Sequence, residues 1–584
     1  MKESWIDLGP LNEFPADRPV LKKDEAGRRY ACVRQGSDIH AIDDRCPHQG
    51  YPLSQGTVKG GVLTCEWHNW KFELGSGACT FGGESVRRYP TKVEDGRVHL
   101  NCAVDRAAEV RRLLGGLRAA LADDSPARAL RDGIRLGELG LGVEGTGLGV
   151  LHTAFEVVAR DGAERAEYGF DHGLAVLADL CSWVERGWIG GDEAFIAGAH
   201  AVAEPSIHLG PRGAPKPHAP LAPRDLRAAL ARVADIEEGD PKHVAEALAN
   251  ERRDEAEARV RALVESRGAL GGHQALLPFV ARHVYDYGHG AIFLAKALEL
   301  GKRFPAAAVE LMAASTVQLS WATAETSLPP FSATRGGLGK VLGLKLDDEP
   351  NKGHAGFDRK AYEDAVLARE SEGVAATVAR LSEGCDPVEL LRASGHAAAV
   401  RLSRFDATWE ARLDAEVNIL DVTHAVTFIE AAIALAPGAR RRHLAQLAVL
   451  AAGFLGKLRH ADAKEPPKPG RAAADLVTAV EARDLGAALA NVKELDAAGR
   501  LESYRKLAPF AAFDAAVRPI FYAHTVKNTE ALHRLEAADP EADGAYLTAL
   551  VSYLAPRRRE NTARRTAAVA RKFLRDGRPP EGLY

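Results

Sequence analysis

The chain has 584 residues, 46% of them apolar, and a net charge of −4. That length supports more than one hydrophobic core, with two to four domains expected, and the near-neutral charge gives no electrostatic footprint for nucleic acid. No apolar run reaches the roughly eighteen residues that argue for a membrane span. The opening M-K-E-S-W-I-D-L lacks the apolar centre of a secretion signal, and Cys32, Cys46, Cys65, Cys79, Cys102, Cys181 and Cys385 show no disulfide framework. A soluble, cytoplasmic protein in a reducing compartment is expected.

Residues 1–104 read as short strands. Y-A-C-V-R (30–34), D-I-H-A-I (38–42), V-L-T-C (62–65) and R-V-H-L (97–100) alternate or are β-branched, and L-G-S-G (74–77) and E-D-G-R (94–97) supply turns. Two donor pairs fall in this segment: Cys46 with His48, and Cys65 with His68, with sixteen residues between His48 and Cys65. Two thiolates and two imidazoles suit an iron–sulfur cluster, and they also suit a structural zinc ion.

The C-x-H and C-x-x-H pairs, with Pro47, Gly50, Gly56 and the W-H-x-W-x-F run after Cys65, resemble a Rieske iron–sulfur domain. The resemblance implies a [2Fe–2S] cluster with Cys46 and Cys65 on one iron and His48 and His68 on the other. Respiratory members carry a further cysteine after each pair. Here those places fall near Tyr51 and Trp67, so no clamping disulfide is expected. Fewer hydroxyl donors near the sulfurs imply a potential toward the low end of the Rieske range, as in the ferredoxin and oxygenase branch. Glu66 and Asn69 stand where Pro and Gly are commonest in that branch. The W-I-D-L-G-P opening and V-E-D-G-R-V-H-L close resemble the two ends of small Rieske ferredoxins.

From Asp105 the composition turns to Ala, Leu, Arg and Glu at helical spacing, as in A-A-E-V-R-R-L-L-G-G-L-R-A-A-L-A (107–122). The expected architecture is multidomain: a small all-β domain at 1–104, a helical linker at 105–130, and a large all-α domain over 131–584. Pro- and Gly-rich loops are expected near 204–223, 328–357 and 461–472. Ring-hydroxylating oxygenases also begin with a Rieske domain, but their D-x-x-H-x4-H iron motif is absent from this sequence.

Several histidines head Ala-rich segments: His152, His172, His289, His396, His424 and His524. His424 and His524 share H-x-V-x-x-x-E-A, which points to a degenerate helical repeat. Such imidazoles would point from several helices into one interior, where neutral rings bind a transition metal without adding charge. The segments around His152, His289, His424 and His524 resemble the questin oxidase-like family, helical oxygenases of aromatic polyketides. That resemblance implies a non-haem iron held by histidines and a carboxylated lysine, here Lys527, on one helix face with His524. Burial beside a metal would favour the neutral amine that carboxylation needs. The expected metal set of the helical part is therefore His152, His172, His289, His424, His524 and Lys527.

Three other features bear weighing. H-V-Y-D-Y-G-H (283–289) would place His283, Asp286 and His289 near one helix face, with Asp286 a metal ligand, a partner orienting an imidazole, or a helix cap, the last two favoured. D-V-T-H (421–424) and E-A-L-H (530–533) resemble pieces of a di-iron bundle, but that fold needs two true E-x-x-H copies. Trp321, Phe331 and Tyr287 are candidates for a substrate pocket or for core packing, and His208, His218, His243, His354, His443 and His460 for the surface.

These readings converge on an oxidoreductase in which a ferredoxin reductase or ferredoxin feeds the cluster, and the cluster feeds a mononuclear non-haem iron. There O2 would oxidise a small hydrophobic or aromatic substrate. The alternative is an electron carrier with a non-catalytic helical docking domain. No nucleic-acid or membrane partner is expected, and the sequence leaves a homo-oligomer open.

Overall fold

The computed structural model describes residues 4–103, 105–123, 125–141, 147–203, 241–346, 357–413, 415, 417–514 and 519–556, with 564, 565, 568, 571 and 575. The loop expected at 204–223, His208, His218, His354 and the 347–356 part of the loop at 328–357 lie outside these residues. The chain divides into two compact units, Met1–Gly142 and Val143–Tyr584.

The first unit opens with eleven strands: β1 (Trp5–Pro10), β2 (Val20–Lys23), β3 (Arg29–Gln35), β4 (Asp38–Asp43), β5 (Thr57–Lys59), β6 (Val62–Thr64), β7 (Lys71–Glu73), β8 (Cys79–Phe81), β9 (Arg88–Tyr89), β10 (Thr91–Glu94) and β11 (Arg97–Asn101). They form three antiparallel sheets, β1-β11-β10, β2-β3-β4-β9 and β5-β6-β7-β8. The period of two in β3 links two cores. Tyr30 and Cys32 pack with Phe14, Tyr89 and Leu100, while Ala31 and Val33 face Leu53, Leu63, Phe72, Cys46 and Cys65. The E-D-G-R turn closes the β10–β11 hairpin with both central residues left-handed, Asp95 at φ 49° and Gly96 at φ 74°.

The expected helical linker at 105–130 corresponds to two helices, Arg106–Ala122 and Pro126–Leu136, which fall within the first compact unit. Asp105 caps the first, accepting from the Ala108 N–H at 3.0 Å, and Leu113, Leu117 and Leu121 recur on its buried face. An apolar stripe of this kind needs a partner, which is why the segment packs rather than spans.

The second unit is helical; among its described residues no strand occurs. Part of the expected 328–357 loop is the Ser332–Leu342 helix, because Gly337 lets that helix press against Val374 and Val449 instead of breaking it. Residues 463–473 carry no helix or strand, and Leu458–Ala461 before them is a short 3-10 helix. No described helix is long and apolar enough to cross a membrane.

Candidate functional site

Two loops of the first unit are built alike. In one, the Cys46 N–H donates to the Tyr51 carbonyl and the Gly50 N–H to the Cys46 carbonyl, both at 2.8 Å. In the other, the Cys65 N–H donates to the Trp70 carbonyl at 2.8 Å and the Asn69 N–H to the Cys65 carbonyl at 3.0 Å. Each loop therefore needs a left-handed residue four positions after its cysteine: Gly50 at φ 77° and Asn69 at φ 59°. Asn is the side chain best able to replace glycine there.

The loops bring four donors together. Cys46 and Cys65 are buried, 3% and 1% exposed, whereas His48 is half-buried and His68 exposed. The two Nδ1 atoms lie 3.2 Å apart. Two nitrogens about 2.0–2.1 Å from one tetrahedral ion would stand about 3.3 Å apart, so the imidazole pair fits a shared iron. Burial pushes the Cys46 thiol up to about 11; the backbone N–H groups of His48 and Gln49 pull against this and Cys65 adds to it. Trp70 stacks on His48 with ring centroids 4.9 Å apart, and Trp67 stacks on His68 at 5.1 Å.

In the second unit four helices bring histidines to one point. His172 and His289 are the first residues of the His172–Glu185 and His289–Arg303 helices; His424 and His524 lie in the Ile419–Ala434 and Pro519–Ala538 helices. Their ligand nitrogens all fall within 4.8 Å of one another. The rings form a closed square: His172–His289 4.7 Å, His289–His424 4.6 Å, His424–His524 4.4 Å and His524–His172 5.2 Å between centroids.

The entries to the first two helices repeat. Tyr168 (φ 62°) and Gly169 (φ 88°) precede His172, and Tyr287 (φ 59°) and Gly288 (φ 94°) precede His289. Left-handed tyrosine is costly, and such strain concentrates at functional sites. Glu325 holds the second turn, its carboxylate accepting from the Tyr287 N–H at 3.0 Å, and Tyr287 stacks over His424 at 5.6 Å.

Below the histidines, Phe293 lies against His289 at 4.7 Å and His172 at 5.5 Å. One heptad further on is a tier of ions. Lys296 donates to Asp179 at 2.5 Å, Ser182 to Glu299 at 2.7 Å, and Arg534 to Glu299 at 3.0 Å and Glu430 at 3.3 Å. Glu530 receives Arg534, Arg186 and the Trp183 indole N–H. All four helices reach the histidines first and the ions second, so they run parallel.

Second neighbours set the protonation of one ring. The Thr423 hydroxyl donates to the Leu420 carbonyl at 2.9 Å and so accepts from His524 Nδ1 at 3.2 Å. That leaves His524 Nε2, fully buried and without a hydrogen-bond partner, as a lone pair facing the cluster. Burial, with Lys527 adding to it, holds His424 down to about 3 and His524 well below its ordinary value, so both rings are neutral. Lys527 is 2% exposed, its Nζ has no hydrogen-bond partner, and burial pushes it down to about 7. It shares a helix face with His524 and sits 5.7 Å from the Phe293 ring centre.

Other expected residues lie elsewhere. His152 packs edge-on against Phe304 at 5.1 Å, because its helix packs chiefly on the Ala308–Trp321 helix and stands outside the ring of four. His396 is bridged to Glu363 and Asp543, each at 3.1 Å. Residues 283–288 form the turn before the helix, so His283 shares no helix face with His289, and Asp286 instead accepts from the Thr323 N–H at 2.8 Å. Asp421 closes a capping box with Asn418, and His533 rests on Trp188 and Tyr504, which leaves no E-x-x-H ligand pair. Phe331 is core, whereas Trp321 is 47% exposed. Sequence reasoning missed the ion tier and the Tyr-Gly turns; Y-G ahead of both H-G pairs, and a charge seven residues after His172 and His289 and six after His424 and His524, were the available signals.

Comparison with known proteins bears on the first unit. Residues 4–90 match the model of the Rieske [2Fe-2S] domain. The 4beta-methylsterol monooxygenase of Methylococcus capsulatus is 42% identical over 86 residues, 13% of this chain and 23% of that protein. The ferredoxin subunit of anthranilate 1,2-dioxygenase from Burkholderia cepacia is 35% identical over 100 residues, 17% of this chain and 91% of that protein. A solved ferredoxin of Sphingomonas yanoikuyae B1 aligns over 17% of this chain and all of its own length at 22% identity, with a TM-score of 0.17. With its paired Cys–His loops, the chain belongs to the Rieske [2Fe-2S] domain family.

Proposed function

We propose that the chain is a Rieske-dependent oxygenase. Cys46, His48, Cys65 and His68 hold the [2Fe–2S] cluster, which takes single electrons from a ferredoxin or ferredoxin reductase. His172, His289, His424 and His524 hold a mononuclear non-haem iron, with Lys527 as a further, carboxylated ligand. When bound, that iron supplies the O2 chemistry that oxidises a hydrophobic or aromatic organic substrate. Relatives sharing the first domain are named as a monooxygenase and a dioxygenase ferredoxin, which supports an oxidoreductase.

The observation that carries this reading is the convergence of four imidazoles from four helices within 4.8 Å. Pre-aimed rings, two of them (His424 and His524) held neutral, cost little to bring onto a cation, and His524 presents its acceptor nitrogen with no competing partner. Thr423 fixes that ring's tautomer, while Phe293 and Tyr287 cover the rings with apolar surface that excludes water. Lys527, pushed down to about 7 by burial and so neutral in a substantial fraction, is able to add CO2 to Nζ with release of one proton, in line with the resemblance to questin oxidase-like proteins.

Metal and sulfide analysis of the purified full chain tests this. About three irons with two labile sulfides per chain are expected; about two irons would leave a Rieske carrier with a helical docking domain. Zinc in the helical part would move the reading to hydrolysis.

A further inference from the structure

The two helices Arg106–Ala122 and Pro126–Leu136 lie beyond the residues matched to the Rieske domain, yet they fold with it. Arg131 binds the carboxylate of Glu84, with Nε 3.1 Å from Oε2, and Arg135 reaches the other oxygen at 3.2 Å. Glu84 is 4% exposed, and its loop begins with Gly82 and Gly83, which press against the Trp70 indole that stacks on His48. Pro47, next to His48, shares a cavity of about 250 Å³ with Arg112, Leu113 and Arg135 of the same helices.

Without the guanidinium of Arg131, Glu84 would be a buried carboxylate only partly neutralised, close to the Trp70 ring that stacks on a cluster ligand. Cluster reduction adds one negative charge, which a nearby carboxylate opposes and a guanidinium favours, and a half-buried setting screens neither fully. We propose that this helical pair sets the reduction potential of the cluster, with Arg131 neutralising Glu84 so that the cluster remains reducible. Potential is governed by charge and burial around a cluster as well as by its ligands. Nothing in this inference depends on the histidine square of the second unit.

The test is an EPR-monitored redox titration of the full-length holoprotein. Glu84→Gln is expected to shift the midpoint potential upward, Arg131→Gln to shift it downward, and the double variant to return close to the parent value. Cluster content and the signal shape of the reduced cluster report whether ligation is intact. A purely structural clasp would change melting temperature and leave all three potentials at the parent value, which overturns the proposal. Shifts of the same sign in the two single variants also overturn it. Should Arg131→Gln lose its cluster, Arg131→Lys, expected to hold the parent potential, and Glu84→Gln alone decide the sign.

Discussion

Asp179 accepts a hydrogen bond from Lys296 at 2.5 Å across 117 positions of sequence, the same separation as Ser182 and Glu299, which also meet. His172 and His289 are offset equally, so the two helices lie parallel and in register, touching at positions 0, 7 and 10 as in a heptad seam. The ions lock the axial register of the histidines above them.

Breaking that lock on one side leaves a buried charge unpaired. Asp179→Asn or Lys296→Met is expected to destabilise the second unit by about 3–5 kcal/mol, while the double change Asp179→Leu with Lys296→Met is expected to recover most of it. Thermal or denaturant melts of the three variants check this.

His524→Ala is expected to remove about one metal ion per chain and leave the [2Fe–2S] signal unchanged. Cys46→Ser does the reverse, abolishing the Rieske EPR signal while the helical metal stays. Metal analysis with EPR separates the two centres.

The left-handed turns make glycine necessary. A Cβ on Gly288 would lie 2.8 Å from Phe428 Cδ2, and one on Gly169 would run into the Ala314 carbonyl. Gly288→Ala is expected to cost about 1–3 kcal/mol and to weaken metal binding, since it displaces the residue immediately before His289. Calorimetric melting and metal titration follow both effects.

His396 supplies a pH dependence. Burial would push it down, but the carboxylates of Asp543 and Glu363 win and raise it to about 9. A raised folded-state value means that the protonated ring stabilises the fold fully below about 6.5 and that this contribution fades as pH rises through about 9. His396→Gln is expected to flatten the alkaline limb of a stability–pH curve measured by urea unfolding.

The Rieske ligands were legible because short loops fix their spacing in sequence. His172, His289, His424 and His524 were legible as a class, each followed by an Ala-rich helical segment. His152 has the same local signature and another fate, since local context sets which way a ring leaves its helix but not which helices become neighbours. The switch from strands to helices near residue 104 was legible from composition, and so was the amphipathic face of Arg106–Ala122; that this face packs chiefly on the Pro126–Leu136 helix was not. The Asp179–Lys296 pair was invisible without the register that only the folded bundle supplies.

Parallel neighbours cannot be joined by tight turns, and the chain must travel back between His172 and His289, between His289 and His424, and between His424 and His524 before each donor arrives. No early-folding segment can assemble this square, and no excised fragment that omits any of residues 172–524 spans it. Such long-range closure is slow to form, so an ion seated there would act as a seal on finished tertiary structure, and retention of that ion would report that the last lap of the bundle has docked.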